Sequence, residues 1–186
     1  MKFFDRVLQD WRIAKARPFI PRGARVLDIG CADGKLFKRL QGEVADDGLG
    51  IEPTLSHSGT AGSVRLIAGR FPDDMPPIEA FDVITLLAVI EHFPSSRYAN
   101  LKEGCLRFLK PGGFLIITVP SPWVDYLLPV LRRCHLVDGM SLEEHHGYAV
   151  RKTEDIFCPP HFELIKRKHF QLGLNNLFVF TRTHAT

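Results

Sequence analysis

The sequence predicts an α/β fold built on a mostly parallel, doubly wound sheet, and three stretches carry that expectation. Residues 25–34, Arg-Val-Leu-Asp-Ile-Gly-Cys-Ala-Asp-Gly, run an apolar strand (Val26, Leu27, Ile29) into a turn of small residues, after which Lys35, Leu36, Phe37 and Leu40 take helical spacing. Residues 81–92, Phe-Asp-Val-Ile-Thr-Leu-Leu-Ala-Val-Ile-Glu-His, form the longest apolar run, as a parallel strand buried on both faces requires. Leu109-Lys-Pro-Gly-Gly-Phe114, followed by Leu115 to Pro120, reads as a helix end, a turn and another strand. There proline stops the helix and the glycines supply backbone angles that other residues disfavour.

The remaining elements fall between these landmarks. Leu49 to Glu52 ends a second strand, Val64 to Ala68 makes a third, and Phe162 to Phe170 with Asn175 to Arg182 make a closing pair of strands around Gly173. Two segments stand outside this pattern. Phe3, Phe4, Val7, Leu8 and Trp11 form an amphipathic helical stripe within an N-terminal segment, 1–22, that either packs on the sheet or folds over a ligand. The connection 121–151 carries a second apolar stripe, Trp123, Tyr126, Leu127, Val130 and Leu131, interrupted by Pro129 and followed by Leu142-Glu-Glu-His-His-Gly-Tyr148.

The strand-to-helix turn resembles motif I of the class I S-adenosylmethionine-dependent methyltransferases, an acidic residue followed by three glycines at alternate positions. Asp28, Gly30 and Gly34 match it and Ala32 departs from it. A dinucleotide fingerprint would need a third glycine where the chain has Lys35. The resemblance implies a Rossmann-like, seven-stranded sheet, mostly parallel with an antiparallel last strand. It also implies a bound S-adenosylmethionine. Its contacts would come from Asp28, Gly30, Cys31, Ala32 and Gly34, and from Glu52, about twenty residues on, where a carboxylate accepts from both ribose hydroxyls. Gly69, Arg70 and Phe71 stand where the family often has Gly-Asp against adenine, so backbone around Gly69 or the Phe71 ring is expected to replace the missing Asp. Leu86, Leu87 and Ala88 are expected to line the methionine portion.

The same resemblance makes the chain an enzyme that moves a methyl group onto a small-molecule or lipid-like acceptor. The methyl is already electrophilic on its sulfonium, so the protein has chiefly to align a nucleophile and exclude water. For a hydroxyl acceptor, a neutral histidine within hydrogen-bond reach would take the proton. His145, His146 and His92 are the candidates, at most one of the adjacent pair entering the pocket. Glu91 and His92 have a second reading, in which they order the start of the next helix. Residues 123–131 are expected to form a lid over the acceptor, being too short to span a membrane and ended by Arg132-Arg133. An alternative reading is a non-catalytic S-adenosylmethionine-binding protein with a partner surface at 121–151.

Composition fits one domain over 1–186. The chain's 186 residues, 45% of them hydrophobic, suffice for a single core and leave little for another. The formal charge of +3 is dispersed along the chain, which gives no support to a nucleic-acid partner, and Lys166-Arg167-Lys168 reads as a solvated strand edge. No sustained apolar run opens the chain, so neither an export signal nor a transmembrane segment is expected. Cys31, Cys105, Cys134 and Cys158 lack any Cys-x-x-Cys pair, pointing to reduced thiols in the cytoplasm and to no bound metal at Cys134, His135, Cys158 and His161. Oligomeric state is not legible in the sequence.

Overall fold

The apolar segments assemble side by side into one sheet with helices on both faces. The computed structural model describes residues 3–121 and 148–184. Its strands are β1 (Val26–Ile29), β2 (Leu49–Glu52), β3 (Gly59–Ala61), β4 (Val64–Ala68), β5 (Phe81–Leu87), β6 (Leu109–Pro120), β7 (Phe162–Phe170) and β8 (Asn175–Arg182). They lie in the order β3-β4-β2-β1-β5-β6-β8-β7. Strands β4, β2, β1, β5 and β6 are mutually parallel, and β8 runs antiparallel to both neighbours. Among the described residues the count is eight rather than seven. The addition is the three-residue β3, which folds back antiparallel on β4 through the turn at Gly62.

Side-chain alternation along the central strands divides the core into two layers. Leu27, Ile29, Leu49, Ile51, Ile84 and Leu86 pack under α3 (Tyr98–Phe108), joined by Phe157 and Phe162. Val26, Val83, Leu66 and Ile116 face the other way, onto α1 (Phe3–Ala16) and α2 (Lys35–Arg39) through Ile13, Ala16, Leu36 and Phe37. The short helix α4 (Lys152–Ile156) adds Ile156 to the first layer. Strand β5 is buried nearly throughout, as a strand with layers on both sides must be. At the opposite extreme β7 is buried only at its two ends, and its Lys166-Arg167-Lys168 stretch is exposed on the outermost strand.

The Pro-Gly-Gly turn has a definite job. Leu109 pairs with Phe81 and Phe114 with Val83, so residues 110–113 loop out opposite Asp82 alone. Gly112 is left-handed, φ +76°, and a Cβ on Gly113 would sit 2.8 Å from the Asp82 carbonyl oxygen. Only glycine fits both places.

The N-terminal stripe is arranged differently from its helical spacing. Val7 and Trp11 are 41% and 42% exposed, and α1 turns Ile13 and Ala16 inward instead. Polar bonds fix the helix: Asp10 pairs with Lys35 and Arg39, Lys35 Nζ donates to the Arg6 carbonyl, and Gln171 Nε2 donates to the Leu8 carbonyl. Because Gln171 lies in the β7–β8 turn, beside the end of β6, α1 reaches the carboxyl ends of the parallel strands.

Candidate functional site

Strand β1 has β2 on one side and β5 on the other, so the connections leaving β1 and β5 diverge and open a crevice beyond the strands' carboxyl ends. Its floor is backbone. Gly30 is left-handed, φ +75°, and a Cβ there would lie 2.4 Å from Val89 Cγ2 on the loop after β5. Gly34 is left-handed too, and its Cβ would strike Ala61. Ala32 adopts φ +47° and Ala88 φ +60° without glycine's freedom. Two alanines in the left-handed region flank the same crevice, and strain of this kind persists where surrounding structure or a ligand over-determines it. Gly30 and Cys31 donate to the Ile51 carbonyl, locking the turn to the end of β2.

Two carboxylates stand on that floor. Glu52 ends β2, with Oε2 accepting from Ala32 N–H at 3.3 Å and Oε1 from Thr54 N–H and Oγ1 at 2.9 and 2.6 Å. These bonds aim it across the glycine turn while leaving lone pairs for a diol. Asp28, buried on β1, accepts from Thr85 Oγ1 at 2.6 Å. Burial, reinforced by the Glu52 charge and opposed by the Thr85 bond, raises its carboxyl to about 7. Cys31 packs its sulfur where a Cβ of Gly50 would be, and burial beside Asp28 and Glu52 pushes its thiol up.

The far wall comes from the turn Ile90–His92. Glu91 is only 2% exposed, and burial raises its carboxyl to about 7 against an opposing pull from Arg12 of α1. Tyr148, buried, sits within electrostatic reach of Glu91; its hydroxyl shares a 2.8 Å hydrogen bond with Thr153, and its ring meets Tyr98 edge-on at 6.0 Å.

The expected residues divide accordingly. Asp28, Gly30, Cys31, Ala32, Gly34 and Glu52 converge on one turn. Gly69 and Arg70 lie at the end of β4, where Arg70 N–H donates to Asp74 Oδ2 at 2.7 Å and the Arg70 side chain is exposed. Phe71 points away into the core, where its ring packs against Gly104 and Phe108. Leu86 is likewise a core residue under α3, whereas Leu87 and Ala88 are half-buried. His92 is half-buried beside Glu91. His145, His146 and the expected lid, 123–131, lie outside the described residues. Glu91, Arg12 and Asp74 were not expected as site residues. Only the Glu91-His92 pair carried any sequence signal, since the other two are ordinary surface charges until the chain folds.

Residues 2–154 match the family model described as a methyltransferase domain. The chain belongs to that family. Relatives of this chain include the ubiquinone biosynthesis O-methyltransferase of Burkholderia thailandensis, 32% identical over 71% of this chain and 60% of that protein. Another is the tRNA U34 carboxymethyltransferase of Hydrogenovibrio crunogenus, 29% identical over 64% of this chain and 41% of that protein. The chain therefore spans at most about 60% of the length of these relatives. The N-methyltransferase NodS of Bradyrhizobium japonicum, solved with S-adenosylhomocysteine, superposes with a TM-score of 0.64 at 16% identity, over 98% of this chain and 89% of that one. At that identity the likeness is one of fold. The family is one of class I S-adenosylmethionine-dependent enzymes, and the residues at this chain's methyltransferase crevice fit that ligand: a left-handed small-residue turn, a strand-end carboxylate held ready for a diol, and buried acids suited to a sulfonium cation. Among the described residues no helix is long and apolar enough to cross a membrane.

Proposed function

We propose that the chain transfers the methyl group of S-adenosylmethionine to a small-molecule or lipid-like acceptor in the cytoplasm, where its free thiols persist. The observation that carries this reading is the placement of Glu52 across the left-handed turn Gly30–Gly34 at the point where the sheet changes direction. In this reading Glu52 accepts from the ribose hydroxyls, and backbone of residues 30–34 with Leu87 and Ala88 encloses the methionine portion. Adenine lies toward Gly69. Asp74 stands against Gly69 and accepts from Arg70 N–H, so Asp74 supplies the carboxylate that position 70 lacks.

S-adenosylmethionine, when bound, supplies the electrophilic methyl. What the chain contributes is alignment: Ala88 and Val89 hold the loop after β5 against Gly30, and Glu52 and Asp28 set two acidic groups beside the turn that would hold the cation. A small acceptor is favoured by the dispersed +3 charge, which provides no basic track for a tRNA backbone. Calorimetry with S-adenosylhomocysteine and methyl incorporation from labelled S-adenosylmethionine into a cell extract test the reading. Saturable binding with label in a low-mass product is expected; no binding overturns it, and label in RNA would redirect the acceptor.

A further inference from the structure

Five large hydrophobic side chains are exposed among the described residues, and all five lie on α1, on β7 or in the β7–β8 turn: Val7, Trp11, Leu164, Ile165 and Leu172. Single exposed apolar residues are ordinary on any surface; their concentration on these few elements is not. Leu172 is the extreme. It is 100% exposed and left-handed, φ +56°, between Gln171 at φ +52° and Gly173 at φ +85°. Leucine is a poor choice there on two counts, because its Cβ disfavours that backbone and its side chain is wholly wet, where asparagine or glycine would cost less.

The same turn is tied to α1. Asn175 Nδ2, at the start of β8, donates to Gln171 Oε1, and Gln171 Nε2 donates to the Leu8 carbonyl. Val7 and Trp11, one helical turn apart, share the face of α1 that Ile13 and Ala16 leave toward solvent. Strand register puts two cations on that side of the sheet. Lys166 pairs with Val179 and Lys168 with Leu177, both in the layer under α1, and both lysines are exposed. The nearby acids oppose them little: Asp10 is engaged by Lys35 and Arg39, and Glu163 lies at the end of β7 away from the turn. Arg167 turns to the other face, over Phe178 and bonded to Glu154.

We propose that this surface docks the chain on a bilayer containing anionic lipid, with Val7, Trp11 and Leu172 entering the interface and Lys166 and Lys168 set against the headgroups. The chemistry selects a bilayer. Tryptophan, with an apolar ring and a polar N–H, suits the boundary between headgroup and acyl chain, and lysines beside it are drawn to the negative surface potential. A second copy fits poorly, since the same lysines would meet their own kind. A stable protein interface also takes roughly 20–30 residues a side around a continuous apolar core, whereas these side chains stand apart on a helix and a turn tip. The turn and the first half of α1 lie at the carboxyl ends of the parallel strands, so a docked chain brings the mouth of the crevice to the lipid. A lipid-like acceptor then reaches the site without crossing water. That consequence rests on the methyl-transfer reading; the docking itself does not.

Co-sedimentation of the full chain with two kinds of vesicle tests the docking: phosphatidylcholine alone, and phosphatidylcholine with phosphatidylglycerol at roughly 3:1. The wild type is expected to bind the mixed vesicles saturably and the neutral ones about 10-fold more weakly. Leu172→Asn places a residue that tolerates the left-handed turn, so the fold is kept, and should weaken binding about 10-fold; Trp11→Gln should do the same. Replacing Lys166 and Lys168 together by Gln should cost roughly 10- to 30-fold on mixed vesicles and little on neutral ones. Insertion has its own signature. In Trp123→Phe, which leaves Trp11 as the sole tryptophan, bromine-labelled lipid should quench the fluorescence. Failure of the wild type to bind mixed vesicles overturns the proposal, and so does binding by Leu172→Asn and Trp11→Gln as tight as the wild type's. Binding without quenching that salt alone abolishes overturns it too, being adsorption by charge. None of these measurements needs the methyl donor, so failure of S-adenosylhomocysteine to bind would strike the methyl-transfer reading and leave the docking standing.

Discussion

The two walls of the crevice are built on different principles. The wall around Gly30 and Glu52 is made of backbone shape and two carboxylates from adjacent strands, drawn from residues 28–54. The wall around Glu91 is made of side chains gathered from α1, the turn after β5, Tyr148 and the start of β8. A turn that fits a ligand through its backbone must be written in consecutive small residues. Side chains that meet only in three dimensions leave no such record.

That contrast can be broken most severely at Gly30. Gly30→Val would put a branched side chain into a left-handed residue and drive its Cβ into Val89, costing on the order of 3 kcal/mol or more and abolishing S-adenosylhomocysteine binding. A melting curve and calorimetry read both; a variant that binds normally would show that the backbone wall is not shaped for the ligand. Glu91 on the far wall and Asp28 beside the glycine turn share an expected signature, pH dependence. Asp28 and Glu91 titrate near 7 in the folded chain but near 4 when unfolded, so between those values the folded state holds protons the unfolded state has released. Their contribution is therefore full below about pH 4 and is lost as pH rises to 7, by on the order of 3–4 kcal/mol for a group shifted this far. Urea unfolding at pH 5 and pH 8 should show the ligand-free protein less stable at pH 8, and Glu91→Gln should remove part of that difference. An unchanged difference in the variant would mean that Glu91 ionises normally.

A smaller effect belongs to Glu52. Glu52→Ala removes the proposed ribose acceptor and should weaken S-adenosylhomocysteine by about 1–3 kcal/mol, while the loss of its bonds to Ala32 and Thr54 lowers the melting temperature by several degrees. Equal affinity would move the ribose elsewhere. The smallest expected effect sharpens the comparison rather than breaking it. Ala32→Gly relieves a left-handed alanine and should stabilise the chain by about 0.5–1 kcal/mol, offset in part by glycine's freedom when unfolded, a rise of a few degrees in a thermal melt. A lower melting temperature would mean that the Ala32 methyl is packed rather than strained.

These differences also explain what could be read in advance. The sheet, its helices and the turn at 30–34 follow from apolar period and small residues, which are local properties. The closing pair Phe162–Phe170 and Asn175–Arg182 was legible from its turn at Gly173. Strand β3 was not, because Gly59-Thr-Ala61 has no apolar alternation and pairs only because Gly62 turns it back onto β4. Phe71 and Leu86 sit in sequence beside positions proposed to contact the ligand, yet strand and loop direction send their side chains into the core. On α1 helical spacing shows that one face is apolar, while Asp10, Lys35, Arg39 and Gln171 seat the helix so that Ile13 and Ala16 turn inward and Val7 and Trp11 stay exposed. Glu91 could be noticed beside His92, but its burial and its neighbours Arg12 and Tyr148 exist only in the folded chain.

The bond from Gln171 to the Leu8 carbonyl spans 163 positions of sequence. A ribosome releases α1 well before the β7–β8 turn, so the helix can take this partner only after the sheet between them has been made. The crevice consequently gains its α1 wall only after its glycine turn is complete, and a chain cut short before residue 171 would carry a finished turn without the contact that seats α1.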